Sequence, residues 1–182
     1  MRLGLVYLPS PEASDLCVRY AASLVGGLSP RVVVGARALP HLSLLHAETD
    51  RSPDSLFAEA RAAIPAHCTF DVVSLGLLRY DTPYNAPPAP PATMAWLMVP
   101  CSDALRSAER TAVALPGFVG VPITTGNGDD FQPHLTIAMW EGHTAPATFE
   151  PADLIPKKGI QGTLALGLIG PNGVYTRTLV SC

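Results

Sequence analysis

The chain has 182 residues, of which 48% are hydrophobic and 15% charged, with a net charge of −3. That apolar content suffices for one domain with its own core, and the lack of a basic run excludes the positive footprint of a long nucleic-acid partner. No apolar run reaches the length of a membrane span, and the four scattered cysteines, Cys17, Cys68, Cys101 and Cys182, form no CxxC pair.

Residues 3–8 predict a buried strand. The run is too short for a signal peptide, and no small-residue cleavage site follows it. Ser10-Pro11-Glu12 supplies a hydroxyl cap, a first-turn proline and an acidic early turn. The helix it opens runs to about residue 24 and stops at Gly26-Gly27. Residues 31–34 predict a short strand leading into residues 38–48. Ser52-Pro53-Asp54 repeats the cap signal and opens a second helix, ended by Pro65. Residues 69–80 predict one long strand. Five prolines follow within residues 82–91 and predict a stiff, extended connection between two lobes, around 81–92.

Residues 94–99 predict another buried strand. Ser102 or Asp103 caps a helix that Pro116-Gly117 ends. Residues 126–130 form a turn-rich loop before the strand at 131–140. Residues 162–169 and 174–180 predict a closing hairpin. The order strand, helix, strand recurs in both halves and suggests an internal duplication within one domain, 1–182.

Two pentamers carry the chemistry. Pro40-His41-Leu42-Ser43-Leu44 and Pro133-His134-Leu135-Thr136-Ile137 lie 93 residues apart and share one pattern. On a strand, His41 and Ser43 share one face, with Leu42 and Leu44 on the other. His134 and Thr136 are placed in the same way. One such copy reads as an edge strand with a solvated histidine. Two copies predict two half-sites facing one cleft. One imidazole can take a proton while the other gives one. The hydroxyls can donate to an oxyanion held between them. A phosphodiester matches that arrangement, because its nucleophile enters on one side of phosphorus and an alcohol leaves on the other.

The paired H-L-[ST]-aliphatic motifs, with Phe131 and Pro133 beside the second, resemble the 2H phosphoesterase superfamily, which includes the RNA 2′,3′-cyclic phosphodiesterases, also called 2′-5′ RNA ligases. The resemblance implies an α+β, bilobal fold. It implies two antiparallel sheets related by a pseudo-twofold, helices on the outer faces, and a metal-free cleft between the lobes. Carried over position by position, it makes His41, Ser43, His134 and Thr136 the catalytic residues.

The remaining residues are less specific. A zinc site can be drawn from His41, His46, His134 and His143, but their spacing matches no ligand pattern, and we expect no metal or other cofactor. Five residues after His41, His46 should point to the opposite face of a regular strand. His67-Cys68 are neighbours whose side chains diverge. Tyr7, Trp96, Trp140 and Tyr175 are candidate platforms for a base, each competing with a place in the core. Arg79, Arg177 and Lys157-Lys158 are candidate phosphate partners, each competing with a place on the solvated surface.

The expectation is therefore a cytoplasmic, monomeric, metal-independent phosphodiesterase. Its substrate would be a 2′,3′-cyclic phosphate, a 2′-5′-linked oligonucleotide or a small cyclic nucleotide. The pH profile should be bell-shaped about the ordinary imidazole value of about 6.5. The alternatives are a non-catalytic RNA-end or nucleotide-binding module on the same scaffold, and a zinc hydrolase.

Overall fold

The structure is a computed structural model that describes residues 1–25, 29–80, 91–142 and 158–182. Its strands are β1 (Arg2–Pro9), β2 (Val32–Val33), β3 (Leu42–Glu48), β4 (His67–Phe70), β5 (Ser74–Tyr80), β6 (Ala92–Met98), β7 (His134–Glu141), β8 (Ile160–Ile169) and β9 (Tyr175–Ser181). Among the described residues three α-helices intervene, α1 (Pro11–Val25), α2 (Pro53–Ala63) and α3 (Asp103–Ala114).

The helix starts follow their caps. Ser10 Oγ accepts from the Ala13 amide at the head of α1, and Ser102 Oγ accepts from the Leu105 amide at the head of α3. A cap of this kind contributes about 1 kcal/mol. Ser52 stands at the N-cap of α2 without a side-chain cap bond, and Pro53 supplies the pre-set first turn instead. The Gly26-Gly27 stop expected for α1 lies outside the described residues.

Among the described residues every strand pairing is antiparallel. The architecture is thus α+β, but the sheet differs from the expected pair. Its strands form one hydrogen-bonded path, β4-β8-β1-β3-β7-β6-β5, with β9 on β8 and β2 on β7. The path narrows to a single residue pair, Leu42↔Leu135, where the two motif strands touch. They separate beyond it because other backbone takes their outer edges. β2 pairs with Met139 and Ala138 of β7. Residues 122–124 bond to β3 in the corresponding way, through Thr124 to the His46 carbonyl and Glu48 to the Pro122 carbonyl.

The two sides of the sheet are not the two halves of the chain. The closing hairpin β8–β9 adds to β1, beside the first motif strand. The long strand expected over 69–80 breaks at residues 71–73, and its parts lie at opposite ends of the path. β4 pairs with β8, and β5 with β6. The connection expected between lobes lies mostly outside the described residues, and the strands flanking it, β5 and β6, pair with each other.

One face of the sheet carries the main core. Buried residues of α1, α2 and α3 join one apolar cluster with Leu42, Leu45, Leu135 and Trp140. α1 packs on β7 and α3 on β3, so each helix covers the motif strand of the other half. The opposite face is left for the motif side chains.

Candidate active site

The leucine pair sets the geometry. Leu42 and Leu135 are fully buried in the helix-side core. The residues flanking each leucine must then emerge on the other face. Antiparallel register puts His41 opposite Thr136 and Ser43 opposite His134. All four line one cleft of about 90 Å³, several times the space of one water.

Both rings are anchored alike. His41 Nδ1–H donates to the Leu39 carbonyl at 2.8 Å, and His134 Nδ1–H donates to the Gln132 carbonyl at 2.6 Å. The acceptor in each case precedes a proline, Pro40 or Pro133. Proline restricts the residue before it to extended backbone, which holds that carbonyl in place. A proton fixed on Nδ1 leaves Nε2 of each ring as the basic nitrogen.

Each motif strand also carries a bulge at the same position. Across β1, the register passes from Leu5↔Leu45 to Val6↔Ser43 and skips Leu44. Across β6, it passes from Ala95↔Ala138 to Trp96↔Thr136 and skips Ile137. One unpaired residue exchanges the faces of everything beyond it. This local correspondence makes His46 the counterpart of Met139, each lying three residues after the hydroxyl.

The bulges overturn two expectations. His46 does not point away from the site. It lies beside Ser43, with Nε2 2.9 Å from Ser43 Oγ, and lines the same cleft. Its ring is 6.0 Å from that of His41. Trp140, six residues after His134 and so on its face by regular alternation, is turned instead into the helix-side core and is 1% exposed. A bulge has no signature in a run such as Leu-Ser-Leu-Leu-His, so regular alternation misplaced both residues.

The other aromatics are corrected too. Tyr7 is buried and donates to the Pro65 carbonyl at 2.9 Å. Tyr175 is buried against His41, with ring centres 5.4 Å apart. Neither can offer a free face to a base. Trp96 does line the cleft, but one indole face is stacked on His134, with ring centres 3.5 Å apart and planes 10° apart. Its residual exposure is 4%, which leaves little of the indole to serve as a platform.

Electrostatics at the cleft rest on the imidazoles. No Lys or Arg among the described residues lines it, whereas Asp130 does. Arg79, Arg177 and Lys158 are exposed elsewhere, and Lys157 and His143 lie outside the described residues. Burial lowers His41 to about 4, against the raising effect of its carbonyl bond. Burial also lowers His134 to about 4, the Gln132 bond opposing and the His41 charge adding. His46 is held well below the ordinary value, first by burial and then by positive charge on His41, His134 and Arg2. The three imidazoles of the free site are therefore uncharged at pH 7. The expectation of limbs about 6.5 is corrected towards acid for the free protein. Among the described residues, no cluster of His, Cys, Asp and Glu is arranged to hold a metal, and no helix is long and apolar enough to cross a membrane.

No protein-family model matches the chain, and no curated protein is similar to it. Among solved structures it is similar to Usb1 of Kluyveromyces marxianus. The Usb1 structure with uridine monophosphate has 13% identity and a TM-score of 0.41. The other Usb1 structure has 14% identity and a TM-score of 0.43, and each match covers 78% of this chain and 72% of that chain. At that identity and overlap, the likeness assigns this chain neither a substrate nor a mechanism.

Proposed function

We propose that this protein is a metal-independent phosphodiesterase acting on a 2′,3′-cyclic phosphate, a 2′-5′ linkage or a small cyclic nucleotide. The observation that supports it best is the matched anchoring of His41 and His134, each Nδ1 tied to the carbonyl before a proline in one cleft with two hydroxyls. One Nε2 takes the proton of water or of a ribose 2′-hydroxyl. The other ring, protonated, gives its proton to the departing oxygen. Ser43 and Thr136 donate to the non-bridging oxygens, where negative charge gathers in the transition state. Ring roles exchange with the direction of reaction.

The depressed basicity of both rings fits this chemistry only once ligand is bound. A phosphodiester anion between the rings favours the imidazolium form and raises the acid's pKa. The uncharged rings of the free protein also favour a second reading, a module that binds a nucleotide end without turning it over. Turnover separates the two. The purified protein should hydrolyse at least one member of a panel of 2′,3′-cyclic mononucleotides, 2′-5′ oligomers and cyclic dinucleotides, and EDTA should not abolish the activity. Binding without hydrolysis across the panel supports the module. Loss in EDTA with restoration by zinc refutes the metal-independent mechanism.

A further inference from the structure

We propose that His46 is a positioning residue that fixes the Ser43 hydroxyl as a hydrogen-bond donor to a non-bridging phosphate oxygen. The inference rests on the phosphodiesterase reading. Its starting point is the 2.9 Å contact between His46 Nε2 and Ser43 Oγ. A serine hydroxyl has one hydrogen and two acceptor sites. If Ser43 gave its hydrogen to His46, none would remain for the ligand. If His46 carries its proton on Nε2 and donates, Ser43 accepts it. The Ser43 hydrogen is then free to point into the cleft. Only the second arrangement allows Ser43 its role.

The site is built around this ring. Gly4 of β1 pairs with His46 across the ladder, and a Cβ there would meet Ile169 Cδ1 at 2.5 Å and also crowd the imidazole Cδ2 at 3.1 Å. On the other side lies Gly173, in the left-handed region with φ 73°. A Cβ there would lie 3.8 Å from the His46 Cε1. The missing Cβ of Gly4 thus leaves room for the ring and for Ile169, whereas a side chain at Gly173 would make only ordinary contact with the ring. The backbone of His46 is engaged as well. Its amide donates to Thr125 Oγ1 at 3.2 Å, and its carbonyl accepts from the Thr124 amide at 2.8 Å. Thr124 and Thr125 form part of the cleft wall, so His46 ties that wall to the Ser43 hydroxyl.

The second half of the chain lacks this device, since its counterpart, Met139, offers no N–H donor in its side chain. The two hydroxyls of the site are therefore unequal. Ser43 is oriented by a buried partner, and its entropy of orientation is spent before the ligand arrives.

Two measurements test the proposal. Imidazole ¹⁵N spectra of the wild-type protein at pH 7 report the tautomer without any substrate. A proton on Nε2 of His46 is expected, and a proton on Nδ1 alone overturns the proposal. The second is a cycle of His46→Met and His46→Gln in the wild-type and Ser43→Ala backgrounds. His46→Met should lower kcat about tenfold, with KM nearly unchanged, because an oriented donor acts mainly in the transition state. His46→Gln, whose amide can still donate, should recover most of that loss. Neither change should matter by more than about twofold once Ser43 is alanine. Equal losses in both backgrounds, or a Gln variant as poor as the Met variant, overturn the proposal. Should His46→Met fail to fold, the Gln variant and the spectra decide. Should no phosphodiester be turned over, the phosphodiesterase reading fails, and the same cycle read by affinity for inorganic phosphate still tests the coupling of His46 to Ser43.

Discussion

Burying a neutral imidazole at position 41 ties the stability of this protein to pH. The ring titrates near 6.5 in an unfolded chain and near 4 in the fold, chiefly through burial. Between those values the unfolded state binds more protons, so acidification favours unfolding. The contribution is complete above about 6.5, is lost as pH falls, and is gone below about 4. Integrated from pH 7 to pH 5, it amounts to about 2 kcal/mol for His41. His41→Gln removes the titration while keeping a polar amide of similar reach. Urea unfolding of both proteins at pH 7 and pH 5, at one ionic strength, isolates the difference. Wild type should lose about 2 kcal/mol more than the variant over that interval, or a melting temperature further reduced by about 4–8 °C. The other titrating groups, His46 and His134 among them, remain in both proteins and largely cancel. An equal drop in the two proteins would refute the claim that His41 is held neutral by burial.

Other outcomes follow from the same cleft. His41→Ala and His134→Ala should each lower turnover of the best substrate by about 10²–10⁴-fold, and the double variant should be little worse than either, because one catalytic unit fails as a whole. Near-wild-type turnover by either single variant removes the acid–base assignment. The pH profile of kcat/KM, which reports the free protein, should lie acidic of 6.5, since both rings are lowered to about 4; that of kcat should extend to higher pH, because the bound anion raises the acid. Coincident profiles would refute that effect. With no Lys or Arg among the described lining residues, kcat/KM for a one-phosphate substrate should change less than about threefold between 50 and 200 mM salt; a steeper fall would reveal a basic contact. Trp96→Leu strips the stacking partner of His134 and should lower kcat about tenfold, whereas an unchanged kcat would make the stack incidental.

What the sequence made legible and what it concealed divide along one physical line. Features set by nearest neighbours were readable. Pro40 and Pro133 predict extended backbone before each histidine, and the carbonyls they hold at Leu39 and Gln132 anchor the rings. The Ser10 and Ser102 caps open their helices, and the buried run of β1 lies between β3 and β8 with both neighbours paired. Features that depend on which strand lies alongside were not readable. The hairpin β8–β9 joins β1 rather than the second motif strand, because strand adjacency belongs to the whole sheet and not to local pattern. The bulges at Leu44 and Ile137 exist only relative to the partner strands β1 and β6. Alternation with period two is sound reasoning until one residue goes unpaired, after which every later assignment reverses. The same single-residue step hid Trp140 in the core and brought His46 to Ser43. Two bulges fall at one motif position, on either side of one leucine pair. Where these two local patterns differ, at His46 against Met139 and at Trp96 against Val6, the two sides of the cleft acquire different chemistry.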